Sequence, residues 1–265
     1  MASVENEKFT RIAPVYDDSR VVPQEVFDRL RGGLEARRIV SSRTNLADIG
    51  CGTGQYLAVF ADSCASVTGI DVSEKMLAVA REKLAGHPNV TLIRCDATAI
   101  DLDADQFDVT ISSKLFLHIA DWQKAIDEAV RVTRPGGYFV YVNELGYFTN
   151  DLRQRFREIC RDQHLPSGFA GEYDLDRIAR VFMDRGCRHE RLTGNDLGWD
   201  RAITYRQAYR ELERRSFAEF NAIDDGPYAR VLALVAEWAS AQPGGWEHVQ
   251  QMRPHLRVDI YSVGA

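Results

Sequence analysis

Short apolar runs alternate with longer amphipathic segments between residues 45 and 143 of this chain of 265 residues. Each run is nearly all apolar and rich in β-branched residues, which is typical of a strand covered by helices on both faces. Strands that alternate with helices form a parallel sheet, so the pattern predicts an α/β fold. The predicted strands of this region are Asn45–Ile49, Ser66–Ile70, Val90–Arg94, Asp108–Ser112 and Tyr138–Asn143.

The region before the first strand predicts a helical flap. A helical pattern covers Pro23–Val40, and the pair Gly32-Gly33 would interrupt it because glycine disfavours a helix interior. The segment after Asp121 gives the clearest helical period of the chain, with one apolar stripe that would face the sheet. We expect this helix to end at Arg134–Gly137, where a proline and two glycines occur together.

The second half of the chain predicts an insertion into the sheet domain. Further strands are expected near Cys187–Leu192 and at Leu256–Val263, and the stretch between them is too long for an ordinary connection. Two helical patterns lie in that stretch, so we interpret residues 196–245 as a helical cap inserted between the last two strands. Residues 1–195 and 246–265 would then form the sheet domain.

The composition excludes intrinsic disorder and a fibrous fold, because 45% of the residues are hydrophobic and 27% are charged, as in globular proteins. Lys and Arg number 33 against 39 Asp and Glu, which gives a net charge of −6. An acidic chain lacks the field expected of a protein that binds a phosphate backbone. We therefore expect no nucleic-acid partner.

The cysteine pattern and the apolar pattern indicate a cytoplasmic protein. The five cysteines are irregularly spaced, with no Cys-x-x-Cys pair and no histidine at metal-ligand spacing, so we expect reduced thiols and no metal. The N-terminal segment lacks the apolar core of a signal peptide. No apolar stretch approaches the ~20 residues that span a bilayer, so we expect no membrane partner.

A glycine-rich turn is the strongest local signal for a ligand. The sequence Asp48-Ile49-Gly50-Cys51-Gly52-Thr53-Gly54 joins the first predicted strand to a helix. Glycine allows the backbone to approach a ligand closely, and the helix start offers N–H donors. Gln55 stands where the dinucleotide fingerprint requires its third glycine, which argues against NAD. A tight turn without a ligand is the alternative.

Three carboxylates stand at or near the carboxyl ends of successive predicted strands, where open α/β sheets bind ligands. Asp71 follows the second strand, about twenty residues after the first glycine, where a carboxylate can accept the hydroxyls of a ribose. Asp96 follows the third strand and could accept a hydrogen bond from the amine of adenine. With Asp48, these residues suit a nucleoside that carries positive charge. Alternatively, each one only forms a turn or caps a helix.

Together these motifs resemble the class I S-adenosylmethionine-dependent methyltransferases, and most of all the small-molecule branch around the ubiquinone/menaquinone biosynthesis methyltransferases. The matching sequences are Asp48–Gly54, Gly69–Ser73 with Met76-Leu77, Cys95-Asp96-Ala97, Phe107–Val109 through Leu117-His118, and Arg134–Gly137. The resemblance implies a Rossmann-like three-layer αβα sandwich with a seven-stranded, mostly parallel sheet whose last strand is antiparallel. It also implies S-adenosyl-L-methionine as the cofactor and S-adenosyl-L-homocysteine as the product.

The resemblance further assigns roles at the cofactor site. The glycine loop would lie against the methionine part of the cofactor, Asp71 would bind the ribose, and Asp96 and Ala97 would contact the adenine edge. Val72 and Met76 would line the adenine faces, and Tyr16 matches an N-terminal tyrosine near the methionine end. The full expected cofactor-binding set is Tyr16, Asp48, Gly50, Gly52, Gly54, Asp71, Val72, Met76, Asp96, Ala97 and Ser113.

Catalysis of methyl transfer from a sulfonium requires mainly alignment and the exclusion of water. A general base is needed only when the acceptor atom carries a proton at working pH. His118 is the first candidate for this base, because imidazole ordinarily titrates near neutrality; a hydrogen-bonded structural histidine is the alternative. Glu144 and Tyr147, just past the fifth strand, are the second choices.

The acceptor is expected to be a small molecule. Ser112-Ser113-Lys114-Leu115 follows the fourth strand and lacks the Asn/Asp-Pro-Pro-aromatic signature that resembles nucleic-acid amine methyltransferases. The aromatic residues of the predicted cap could line a closed apolar pocket. We therefore expect a methyl transfer to an O, N or C nucleophile of a metabolite. A catalytically silent module that binds the same cofactor is one alternative, and a nicotinamide-dependent oxidoreductase is another.

Overall fold

The computed structural model describes Ala13, Tyr16 and Asp17 together with residues 21–146, 149–194 and 196–264. The first half of the chain alternates strands and helices as predicted. Its elements, in order, are α1 (Gln24–Ala36), β1 (Asn45–Ile49), α2 (Gln55–Ala61), β2 (Ser66–Asp71), α3 (Glu74–Lys83), β3 (Val90–Arg94), β4 (Phe107–Ser113), a 3₁₀ turn (Phe116–His118), α4 (Trp122–Val132) and β5 (Thr133–Leu145).

The second half adds helices and short strands. Its elements are α5 (Asp151–Asp162), α6 (Leu175–Asp184), β6 (Arg188–Arg191), β7 (Arg201–Thr204), α7 (Tyr205–Glu213), α8 (Asp225–Ala241), β8 (Val249–Met252) and β9 (His255–Ser262), with 3₁₀ turns at Ala218–Phe220 and Gly245–Glu247. No helix within the described ranges combines the length and the apolar character needed to cross a membrane.

Seven strands form one sheet with the order β3-β2-β1-β4-β5-β9-β6. Strands β1 to β5 pair in parallel, and β9 pairs antiparallel with β6. Strand β1 pairs with β2 on one side and with β4 on the other. Asp48 of β1 is in register with Gly69 of β2 and with Ile111 of β4. The predicted Rossmann-like three-layer fold, with an antiparallel last strand, is confirmed.

The core of the sheet domain forms where the helical stripes meet the strands. Helix α4 buries Trp122, Ala125, Ile126 and Ala129, as the period of its apolar residues predicts. The rings of Phe139, Phe182 and Tyr261 stack next to one another, with centroid distances of 4.7 Å and 4.1 Å between successive rings. Aromatic rings bury large apolar areas and stack with defined geometry, so this column joins α6 to β5 and β9.

One local expectation was wrong. Helix α1 runs through Gly32 and Gly33 without interruption, because the burial of Val26, Leu30 and Leu34 outweighs a glycine cost of about 1 kcal/mol per residue. Helix α4 ends at Val132, directly before Arg134–Gly137 as expected, but this segment already belongs to β5, which starts at Thr133 rather than at the predicted Tyr138. A register shift between Phe107 and Val109 of the partner strand accommodates this segment.

The chain divides into two compact units. The first comprises the described residues of 1–143, 170–197 and 256–265, and the second comprises residues 144–169 and 198–255. The second unit has its own apolar core, in which Phe156 of α5 contacts Phe220 at 4.4 Å and Tyr228 at 4.9 Å between ring centroids.

The second unit differs from the predicted cap of residues 196–245 in extent and in content. It also contains residues 144–169, because α5 buries Leu152, Phe156 and Ile159 in the same core as α7 and α8. It is not wholly helical, since β7 and β8 pair as an antiparallel ribbon. These short strands carry little of the alternating apolar pattern that marks a strand in sequence.

Candidate cofactor-binding site

A cavity of about 340 Å³ opens at the carboxyl ends of β1 to β4. Ten residues of the predicted site line it: Tyr16, Gly50, Gly52, Asp71, Val72, Met76, Asp96, Ala97, Ser113 and His118. The other lining residues, which are not among the predicted site residues, are Ile70, Cys95, Thr98, Lys114, Leu115, Ile119, Ala120 and Asp121. The cavity thus lies where ligands bind in open parallel sheets.

The glycine loop after β1 has a backbone conformation that glycine adopts far more easily than other residues. Gly50 and Gly52 have φ angles of 77° and 53°, in the left-handed region. A Cβ on Gly50 would also lie 2.6 Å from Leu115 Cδ1, so the Leu115 side chain would have to move to admit it. On Gly52, by contrast, a Cβ would meet no atom within 4 Å, and it would project into open space at the cavity wall.

The backbone donors of this loop already have partners inside the protein. The N–H groups of Gly50 and Cys51 donate to the carbonyl oxygen of Ile70 at 2.8 Å and 3.0 Å. The N–H of Gly52 donates to Asp71 Oδ2 at 2.9 Å. The sequence predicted N–H donors for a ligand at this turn, but the fold uses these three itself. Such a loop suits a neutral or cationic group better than a phosphate.

Gly54 allows α3 to pack closely against the start of α2. It has a φ of 77° at the residue preceding α2, and it is absent from the lining of the cavity. A Cβ at this position would lie 3.0 Å from Leu84 Cδ1 and 3.1 Å from Ala80 Cβ. Helix α3 can therefore approach the start of α2 only because residue 54 has no side chain.

Asp71 connects β2 to the glycine loop and keeps acceptor capacity for a ligand. Its Oδ1 accepts the N–H of Ser73 at 2.8 Å, while Oδ2 accepts that of Gly52. Burial raises the pKa of Asp71, and the backbone N–H groups of Ser73 and Gly52 oppose this increase. Each carboxylate oxygen has a second lone pair, which a ribose hydroxyl could use. The cap of α3 is Ser73, whose Oγ accepts the N–H of Met76.

Asp48 lies in β1, outside the cavity lining, and is 1% exposed. Its Oδ1 has no hydrogen-bond partner in the described part of the chain. Burial, together with the negative charge of Asp71, raises the pKa of Asp48 to about 8. A positive charge nearby would favour the ionised form of such a buried carboxyl group. At the cavity itself, the carboxylates of Asp71 and Asp96 fit a cofactor that carries positive charge.

Asp96 is held in place by Thr98, a residue that the sequence reasoning missed. Oδ1 of Asp96 accepts both the backbone N–H and the Oγ1 hydroxyl of Thr98, each at 2.8 Å. The short spacing Asp-x-Thr, a common local turn motif, could have indicated this pair. Among the described residues, the second carboxylate oxygen makes no hydrogen bond, so it can accept one from a base amine.

Apolar side chains form the wall between the two aspartates. Val72 is 41% exposed although it is apolar, and Met76 next to it is buried. Tyr16 packs on the same side against the cluster of Ala13 and Met76. An exposed apolar side chain in a cavity wall gives a flat ring a surface to cover.

The segment after β4 forms the opposite wall. Ser113 Oγ is buried and has no hydrogen-bond partner within the described ranges, and Lys114 adopts a φ of 52°. His118 ends the 3₁₀ turn that follows. Backbone N–H groups of Gly171 and Glu172 donate to the carbonyl oxygens of Leu117 and Phe116, both at 3.0 Å, and so fix this turn.

Glu144 and Tyr147 are the other two candidates for the general base. Glu144 is 2% exposed in β5 and is absent from the lining. Tyr147 lies outside the described residues. A catalytic role for either residue stays a prediction.

Comparisons with known proteins match this chain to methyltransferases. A family model described as "Methyltransferase domain" matches residues 47–141. The malonyl-[acyl-carrier protein] O-methyltransferase of Enterobacter lignolyticus is 30% identical over 188 residues, which cover 66% of this chain and 72% of that protein. The ubiquinone/menaquinone biosynthesis C-methyltransferase UbiE of Campylobacter jejuni is 31% identical over 170 residues, covering 60% and 69%.

The fold has counterparts among solved structures. The YcgJ protein from Bacillus subtilis has a TM-score of 0.62 with 16% identity, and the superposition covers 92% of this chain and all of that one. At this identity the likeness concerns the fold alone.

Proposed function

Because this protein belongs to the class I S-adenosylmethionine-dependent methyltransferases, we propose that it methylates an oxygen, nitrogen or carbon nucleophile of a small-molecule metabolite. S-adenosyl-L-methionine is its cofactor and S-adenosyl-L-homocysteine its product. The observation that supports the proposal most strongly is the pair Asp71 and Asp96 at one cavity edge, beside a loop in which three successive N–H groups, those of residues 50–52, donate within the protein. Such an edge attracts a cationic nucleoside and repels phosphates.

Different residues of the cavity would contact different parts of the cofactor. Asp71 would accept the ribose hydroxyls, and Asp96 with the backbone of Ala97 would contact the adenine edge. Val72 and Met76 would cover the faces of the base, and both are apolar residues that line the cavity. A bound cofactor supplies a methyl group on an excellent leaving group. The protein therefore contributes mainly the alignment of the two reactants and the exclusion of water.

His118 is proposed as the base for an acceptor that carries a proton. It lies in the cavity wall after β4, on a turn that two backbone hydrogen bonds from residues 171 and 172 hold in place. An imidazole at a cavity wall can take a proton from a hydroxyl or an amine as the nucleophile attacks. Such a base adds a factor of roughly 10²–10⁴ to the rate.

The names of the relatives support a small acceptor. The volume of the cavity, about 340 Å³, lies in the range of small-molecule pockets, roughly 300–1,000 Å³, but this cavity is assigned to the cofactor. The relatives are named for methylation at oxygen in one case and at carbon in the other, so they leave the acceptor atom of this protein open. We keep the expectation that no nucleic acid is involved, on the basis of the net charge of −6.

Two measurements test the proposal. Calorimetry should give a dissociation constant for S-adenosylhomocysteine and no heat of binding for NADH; the reverse result would point to an oxidoreductase. Incubation with labelled cofactor and fractionated small-molecule extract should then give a product heavier by one methylene group.

The variant His118→Gln separates binding from transfer. It should bind S-adenosylhomocysteine as the wild type does and transfer methyl groups at least about tenfold more slowly. Wild-type binding without any labelled product from any fraction would instead favour a silent module. Labelling of nucleic acid in place of the small-molecule fractions would contradict the proposed acceptor class.

A further inference from the structure

We propose that Asp17 is a positioning residue that holds Tyr16 in the wall of the cofactor cavity by binding Thr53 and Lys83. The inference rests on the cofactor site proposed above and adds a residue that does not itself line the cavity. It concerns how the N-terminal segment is attached at the cofactor site.

One carboxylate joins three parts of the chain. Asp17 Oδ1 accepts the hydroxyl of Thr53 at 2.6 Å, and Asp17 Oδ2 accepts a hydrogen bond from Lys83 Nζ at 2.6 Å. Lys83 Nζ also lies 3.5 Å from Thr53 Oγ1, so the three side chains form a closed set. Thr53 belongs to the glycine loop and is 2% exposed, and Lys83 is the last residue of α3. We call this set the Asp17 clamp.

Tyr16, the neighbour of Asp17 in the chain, lines the cavity. It packs against the cluster of Ala13 and Met76, as does Val79 of α3. Consecutive Cα atoms are about 3.8 Å apart, so a fixed Asp17 leaves the backbone of Tyr16 little freedom. The clamp therefore holds the tyrosine at one end, while the apolar contacts with α3 hold its ring at the other.

The charges of the clamp favour a role in ligand binding over a role in stability. Lys83 and Asp17 are 30% and 40% exposed, and an ion pair so open to solvent adds little to the folding free energy. The same contact can still influence affinity, because a wall residue that is already ordered spares the ligand the entropy of ordering it. Loss of the clamp should thus weaken cofactor binding far more than it lowers the melting temperature.

Calorimetry with S-adenosylhomocysteine tests the clamp without knowledge of the acceptor. Asp17→Ala and Lys83→Met should each raise the dissociation constant, with Asp17→Ala raising it about tenfold, the effect of one charge-assisted hydrogen bond. The melting temperature without ligand should stay within about 3 °C of the wild type. Arg81→Met is the matched control, because it removes an exposed ion pair with Glu74 on the same helix; its affinity should equal that of the wild type.

A double-mutant cycle tests whether the clamp acts through Tyr16. If it does, Asp17→Ala should change the affinity less than about twofold when Tyr16→Ala is already present. The exchanged pair Asp17→Lys with Lys83→Asp should recover part of the lost affinity, since the Thr53 hydroxyl can donate or accept.

Different results would overturn different claims. Equal affinities of Asp17→Ala, Lys83→Met and the wild type would refute the clamp, and so would additive losses in the cycle with Tyr16→Ala. A wild type that does not bind S-adenosylhomocysteine would instead refute the proposed function.

Discussion

The carboxylate of Asp71 accepts a hydrogen bond from the backbone N–H of Gly52 at 2.9 Å, which ties the end of β2 to the glycine loop after β1. The same carboxylate also accepts the N–H of Ser73 and faces the cavity. One side chain thus shapes the loop and presents acceptors to the ligand. Loop geometry and affinity should therefore change together when it is altered.

Asp71→Asn should weaken the binding of S-adenosylhomocysteine by roughly 10- to 100-fold, the range for a lost charge-assisted hydrogen bond. The amide would also place an N–H donor against the N–H of Gly52 or Ser73, so the melting temperature should fall too. Asp101→Asn is the control, because Asp101 is exposed and is not part of the cavity lining. Unchanged affinity in the Asp71 variant, measured by calorimetry, would contradict the assignment of the ribose to this residue.

Asp48 should make the protein less stable as the pH rises. Its pKa is about 8 in the folded protein and near 4 in an unfolded chain, so between these values only the folded state retains the proton. The free energy of unfolding should therefore decrease from pH 5 to pH 8 by an amount on the order of a few kcal/mol from this group. Urea denaturation at both pH values would measure it, and Asp48→Asn should show a clearly smaller decrease. Equal decreases would disprove the buried, protonated carboxyl.

Gly171→Ala should destabilise the protein by about 2–4 kcal/mol. A Cβ there would overlap the carbonyl oxygens of Phe116 and Ile119, which flank the turn that carries His118. Gly32→Ala is the matched control, since its Cβ would meet nothing within 4 Å in the interior of α1. That change should be neutral or stabilise the protein by up to about 1 kcal/mol. Denaturant unfolding would compare the free energies of unfolding of the two variants. Similar values would show that the turn moves to accept the Cβ without loss of stability.

Arg153→Met should destabilise the second unit by about 3–5 kcal/mol. Arg153 and Glu219 form an ion pair that is almost fully buried, and Arg157 supplies the second contact of that carboxylate at 3.0 Å. Removing one partner leaves much of a buried charge uncompensated. Arg155→Met, which breaks a partly exposed pair with Glu158 on the same helix, should change the stability by less than about 1 kcal/mol. Thermal unfolding followed by circular dichroism would distinguish the two variants.

The first half of the chain follows from local sequence patterns. The predicted strands from Asn45 to Arg94 match the observed bounds to within one residue, because short β-branched runs between helices have few other structures available. The second half was harder to predict. The helix Asp151–Asp162 and the ribbon of β7 and β8 gave no distinct signal, and their place in one core depends on contacts between distant segments.

The sequence by itself determined the α/β fold and the order of strands and motifs, because these depend on periodicity and on glycine at fixed positions, and the cofactor followed from the family that these motifs resemble. Only the tertiary structure decided which carboxylates reach the cavity: Asp71 and Asp96 line it, whereas Asp48 is buried in β1. It also decided that the loop donors bind Ile70 and Asp71 rather than a ligand. The physical reason is that these contacts join residues far apart in the chain, and only their packing brings them within hydrogen-bond distance.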